Sequence, residues 1–209
     1  MKLITTPQSL LSLAITILGY GGAFATFTYL SPILQDITKI SPSAVSLVLI
    51  MYGVMIAIGN YLGGRFGNAN PIKGLLYTFI VQGLVLLAFY FTAPSVAVSI
   101  ITVAGMGLMG LMAFMSVPML QANIMLLAKR HVPSAVDLAS SLNIAGFSGG
   151  IMLGAILGDI VIDHIGLAYT PLAAAFMVGL SVALTVIAMA LQKGPTAVIN
   201  RKVLAQSYK

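Results

Sequence analysis

The residues best equipped to do chemistry on their own are Gly146-Phe147-Ser148-Gly149-Gly150, a serine set among glycines. Such a serine attacks a substrate only when a base lies within hydrogen-bond reach. As G-x-S-x-G it would also need a sharp strand-to-helix turn to present its hydroxyl. The surrounding residues are instead a long apolar stretch whose glycines continue at 154 and 158, a spacing that favours helix packing. The two histidines, His131 and His164, fall at the edges of apolar stretches. Cysteine and glutamate are both absent, which removes thiolate chemistry, disulfides, Cys-ligated metal and most acid–base options. The expectation is a protein that is not an enzyme and holds no metal and no cofactor.

A second set of residues suits binding. Tyr20, Phe24 and Phe27 share one face of the first apolar stretch at helical spacing, Tyr52 lies in the second, and Asn143 in the fifth. Polar groups inside apolar spans commonly mark a functional path. These five are the candidate lining of a cavity for a small organic substrate, to which they would offer hydrogen bonds and ring faces. The competing reading is that they only satisfy hydrogen bonds between helices. Met106, Met109, Met112 and Met115 form either an adaptable wall for varied ligands or lipid-facing filler. No Asp, Glu, His, Lys or Arg lies near the middle of any stretch, so proton coupling would need charges from elsewhere.

The elements that would position these residues follow from composition. Hydrophobic residues make up 59% of the 209 and charged residues 7%, against about 25% in an ordinary soluble domain. A bilayer crossing takes about 20 apolar residues. Six stretches meet that length, at about 10–34, 44–62, 72–91, 96–119, 135–162 and 170–191 within a bundle over 9–192. Residues 1–8 form a short leading segment and 193–209 a basic tail. The fourth stretch stays uncharged to Ala128, and Pro118, Gln121 and Asn123 predict a kink or burial against protein there.

If the spans cross in turn, Lys2, Arg65, Lys73, Lys129, Arg130, Lys193, Arg201, Lys202 and Lys209 share one side. Lys39 alone joins Asp36, Asp159 and Asp163 on the other. Cytoplasmic loops retain Lys and Arg, which predicts cytoplasmic termini. The net charge of +6 is scattered through short loops without a contiguous patch, so nucleic acid is excluded as a partner.

The loop expected between spans 2 and 3 carries the most specific local pattern, Gly59-Asn60-Tyr61-Leu62-Gly63-Gly64-Arg65-Phe66-Gly67-Asn68. Glycines at every fourth position leave one helix face bare for a close neighbour. This pattern resembles the G-x-x-x-D-R-x-G-R-[RK] signature of the major facilitator superfamily in its weaker form, matched at Gly59, Gly63, Arg65 and Gly67. Gly64 replaces the acidic residue and Asn68 a basic one, so the resemblance implies close packing and not charge relay. Gly19-Tyr20-Gly21-Gly22-Ala23-Phe24 and Ser140-Ser141-Leu142-Asn143-Ile144-Ala145 are similar to the arabinose/nucleoside/drug efflux branch of drug:proton antiporters.

The resemblance implies an all-α membrane protein, one six-helix bundle equivalent to the C-terminal half of such a transporter, in a bacterial inner membrane. It further implies efflux of a small organic solute by alternating access, with a second six-helix half supplied by an N-terminal partner or a second copy. The alternatives are a non-transporting membrane subunit or an inactive gene fragment. A six-span intramembrane serine protease, which Gly146-Phe147-Ser148-Gly149 resembles in its rhomboid form, is the remaining reading.

Overall fold

The computed structural model describes residues 6–67, 70–92 and 99–192. Lys2, Asn68, residues 93–98 and the tail with Lys193, Arg201, Lys202 and Lys209 lie outside the described residues. Six long helices account for most of the rest: α1 (Pro7–Phe27), α2 (Pro42–Gly67), α3 (Pro71–Thr92), α4 (Ser99–His131), α5 (Val136–His164) and α6 (Thr170–Gln192). All six are long and apolar enough to cross a membrane, and no strand occurs among the described residues. The chain is an all-α, multi-pass membrane bundle.

Proline marks the starts. Pro7, Pro42 and Pro71 open α1, α2 and α3, where the missing N–H is not needed and the fixed φ already suits a helix. The first apolar stretch does not stay one helix to residue 34. It leaves α-geometry after Phe27, then passes through a single turn at Leu30–Pro32 and a wider π-turn at Ile33–Ile37. By contrast, α2 runs on to Gly67, so the glycine-rich segment expected as a loop forms its last two turns. In hydrocarbon the backbone must bond to itself, and that demand overrides the helix-breaking tendency of glycine. For the same reason α4 continues unbroken through Pro118 to His131.

Glycine contacts give the register. A methyl group at Gly59 would strike the Leu111 carbonyl, one at Gly63 the Met115 carbonyl, and Gly67 faces the Met119 side chain. Both series advance together, so α2 and α4 run parallel. On the opposite flank Gly146 meets Leu13, Gly150 meets Ile17, Gly154 meets Gly21 and Gly158 meets Ala25. Thus α5 lies parallel to α1. Gly19 against Ser181 and Gly22 against Val178 make α6 antiparallel to α1. Alternate crossing follows, with Arg65, Lys73, Lys129 and Arg130 at one end and Asp36, Lys39, Asp159 and Asp163 at the other.

The packing partners are related by a two-fold exchange. α1 packs on α5 and α6, while α4 packs on α2 and α3; α1 also meets α4, and α3 meets α6. Exchanging 1 with 4, 2 with 5 and 3 with 6 leaves this pattern unchanged, as expected of two three-helix repeats. Each repeat therefore contributes its second helix to the first helix of the other. The glycine stripes sit at these two crossed contacts, α2 on α4 and α5 on α1.

Candidate functional site

The C-terminal half of α1 brings the aromatic candidates together. Tyr20 packs on Phe24 with ring centres 5.0 Å apart, Phe24 on Phe27 at 5.5 Å, and Phe27 stacks on Tyr52 of α2 at 4.9 Å and 16°. Two rings not singled out from sequence complete the array. Phe147 of α5 lies edge-on to Tyr20 at 4.8 Å, and Phe114 of α4 at 5.8 Å. Four helices thus contribute to one chain of six rings, which starts in the last two turns of α1 and reaches the middles of α2, α4 and α5. Tilted and edge-on pairs suit the ring quadrupoles, at about 0.5–1.5 kcal/mol each beyond area burial. Gly110 makes room for the array, since a side chain there would press on the Tyr52 ring.

The two phenol hydroxyls stand apart from the rest of the polar interior. Neither Tyr20 nor Tyr52 donates a hydrogen bond among the described residues. Neither hydroxyl is among the fully enclosed unpaired atoms, which are Gln82 Oε1 and Ser181 Oγ. Both residues are buried, Tyr20 at 7% and Tyr52 at 2% exposure, so their hydroxyls lie in the packed interior without a protein partner among the described residues. Phe24, Phe27, Phe114 and Phe147 keep part of their surface open.

Asn143 does not join the rings; it lies one turn before Phe147 in a buried amide network. Thr16 Oγ1 donates to Asn143 Oδ1 at 2.8 Å, and Asn143 Nδ2 donates to Gln121 Oε1 at 2.8 Å. Gln121 Nε2 donates to Ser140 Oγ at 2.6 Å, and Asn123 Nδ2 to Ser12 Oγ at 3.0 Å. These bonds tie α1, α4 and α5 together on the basic-end side of the ring array. Asn143→Leu is expected to cost about 1–2 kcal/mol, because Gln121 Oε1 loses its donor while Thr16 keeps only the Ser12 carbonyl. A double-mutant cycle with Gln121→Leu checks this; losses that add within about 0.3 kcal/mol would deny the coupling.

Other residues fall elsewhere. Asn60 points outward on α2, and Arg65 is exposed at the basic end without an ion pair among the described residues. Met106 and Met109 are buried, and so are not lipid-facing, because α4 is enclosed by α1, α2 and α3. Ser148 is exposed and returns its hydroxyl to the Ile144 carbonyl at 3.3 Å. His164, on the same helix, bonds the Ile160 carbonyl. Sixteen residues of helix separate the two by about 24 Å, so no base serves this serine among the described residues. Gln82 and Ser181, buried at the middles of α3 and α6 beside Gly19, went unread in the sequence, where a lone amide or hydroxyl carries no spacing signal.

Residues 10–206 match the Major Facilitator Superfamily over nearly the whole chain. The chain belongs to that superfamily. It is 50% identical over 185 residues to the uncharacterized MFS-type transporter YtbD of Bacillus subtilis (strain 168), covering 88% of this chain and 46% of that protein. It is 36% identical over 202 residues to the inner membrane transport protein YdhP of Escherichia coli (strain K12), covering 95% and 49%. A probable sugar efflux transporter of Helicobacter acinonychis (strain Sheeba) is 30% identical over 158 residues, covering 74% and 38%. The major facilitator chain thus spans about half the length of the curated relatives it matches. These relatives agree with the efflux branch that residues 19–24 and 140–145 resemble. They support a membrane transporter of small solutes.

Proposed function

We propose that this major facilitator chain forms one half of an alternating-access efflux transporter for an uncharged small organic solute. Tyr20, Phe24, Phe27 and Tyr52 form the wall that the solute meets, and Asn143 braces it through Gln121. The observation that carries the reading is the six-ring array, with two phenol hydroxyls that have no protein partner among the described residues. Ring faces take the apolar surface of a solute and the hydroxyls its polar edge. With no charge nearby, the site favours neutral over ionic cargo.

A second six-helix unit completes the cavity, either an N-terminal half or another copy of this chain. The outward faces of α2 and α5, with Leu47, Ile50, Val54, Ile144, Ile156 and Ile160 uncovered, suit such a partner. Gly59, Gly63 and Gly67 then hold α2 tightly on α4 while Arg65 stays at the membrane boundary, and the basic end faces the cytoplasm. Any proton-coupling carboxylate belongs to the second unit, because the middles of these six spans hold no ionisable residue.

Cells expressing the chain alone are expected to retain a panel of labelled neutral sugars and nucleosides. Co-expression with a six-span N-terminal half from a relative should lower retention of at least one. Retention of every compound under both conditions would favour a non-transporting subunit or an inactive fragment.

A further inference from the structure

The amide network beside the rings has an open edge. Gln121 accepts one hydrogen bond, from Asn143 Nδ2 at 2.8 Å, and donates one, to Ser140 Oγ at 2.6 Å. A carboxamide offers two N–H donors and two lone pairs, so half of its capacity is unused among the described residues. Ser140 only accepts, and its own O–H has no acceptor among the described residues. Both residues are half-buried, whereas Thr16 and Asn143 are fully enclosed. Thr16 and Asn143 are thus the fixed support, and Gln121 and Ser140 the side that another molecule can reach.

This edge continues the ring array. Gln121 follows Phe114 by seven residues on α4, and Ser140 precedes Phe147 by seven on α5. Seven residues are nearly two full turns, so each pair shares one helix face. Phe114 and Phe147 are themselves half-open, and both pack on Tyr20. Asn143, which holds the Gln121 amide, lies one turn from Phe147, about 6 Å along the helix. Rings and amide therefore stand within the length of one small solute.

We propose that Gln121 and Ser140 are the specificity-determining contacts for hydroxyl groups of the cargo, bonding them while the rings cover its apolar face. This role rests on the proposed half-transporter. An amide presents a donor and an acceptor side by side, which suits a hydroxyl that is both, or two adjacent hydroxyls. Such a site rejects the analogue that lacks the hydroxyl, because its own polar groups are then left unpaired. With the basic end toward the cytoplasm, as in that reading, cargo meets this edge before the rings.

The test is export, by the completed two-unit protein, of labelled solutes in matched pairs: uridine against dideoxyuridine, adenosine against dideoxyadenosine, and methyl glucoside against its deoxy analogue. The parent should export at least one hydroxyl-bearing member about fivefold better than its partner, as expected for one or two half-exposed hydrogen bonds. Gln121→Leu should bring that ratio to within about twofold of unity, through loss of the hydroxyl-bearing member alone. Ser140→Ala, which leaves the Gln121–Asn143 bond in place, should lower it about twofold. Asn123→Leu breaks a bond of the same kind, to Ser12 between two buried residues, and should leave the ratio unchanged. Equal losses of both members in Gln121→Leu, or a ratio that this variant does not move, would overturn the proposal and make the residue a brace alone. No export of any pair by the parent would count against the half-transporter instead, and saturation-transfer NMR on the purified full chain in detergent then decides. Uridine should give a stronger signal than dideoxyuridine with the parent and an equal one with Gln121→Leu; equal signals already with the parent would overturn the proposal.

Discussion

Gly154→Ala is expected to cost the bundle about 3 kcal/mol, at the upper end for overpacking of a close-packed interior. The added methyl would land on the Gly21 carbonyl and the Ala25 amide of α1, both of them backbone. Backbone cannot rotate aside as a side chain can, so α5 and α1 must separate along their length. Gly149→Ala, one turn earlier on a face with nothing within 4 Å, provides the control. That change should be neutral or slightly favourable, because alanine is the better helix former by about 1 kcal/mol. Thermal or SDS-induced unfolding of the detergent-solubilised chain reads both. Equal midpoints for the two variants would refute the backbone contact between α1 and α5. By the two-fold exchange, Gly63→Ala should behave like Gly154→Ala, since its methyl would meet the Met115 carbonyl of α4.

Tyr20→Ala should reduce transport by the completed two-unit protein tenfold or more. Tyr20 touches Phe24, Phe114 and Phe147, and among the described residues no other ring bridges α1, α4 and α5. Removing it takes away solute contact and the support of three neighbours together, and about 1.4 kcal/mol of lost binding is already tenfold. Part of that loss would be structural, so Tyr20→Phe carries the sharper reading. The phenylalanine keeps every ring contact and removes only a hydroxyl that has no partner among the described residues. Unfolding should then match the parent while transport still falls by a few fold. Unchanged transport with Tyr20→Phe would assign the residue to packing alone.

Much of the bundle was legible in the sequence because a bilayer leaves few choices. Long apolar stretches must become helices, and charges must gather at their ends, which placed Arg65, Lys73, Lys129 and Arg130 together. The four-residue spacing of Gly59, Gly63 and Gly67 and of Gly146, Gly150, Gly154 and Gly158 pointed to bare helix faces, and each stripe meets a neighbouring helix. Which helix it meets was not legible, since nothing local to Gly154 names Gly21. Tyr20, Phe24 and Phe27 were readable as one face because helical spacing suffices for residues on one helix. Phe114 and Phe147 were missed because their value lies in what stands opposite. The Gln121–Asn143 bond joins residues of two helices whose register sequence does not give. Gly63 and Gly64 misled in the other direction, since glycine breaks helices in water but not where lipid forbids an open backbone.

The exchange of helices between the two repeats has a consequence for biosynthesis. α1 is the most enclosed of the six spans, yet α5 and α6, on which most of its surface packs, are the last to be made. Roughly a hundred residues separate the end of α1 from the start of α5, on the order of 5–20 seconds of translation. Through that interval Thr16, Gly21, Gly22 and Thr26 lack the α5 and α6 neighbours they finally meet, and lipid or the insertion machinery must shelter them. The first three helices cannot settle into their final arrangement as they emerge. The fourth brings the main native partner of α2, and Gly21 and Gly22 of α1 wait for the fifth and sixth before they close.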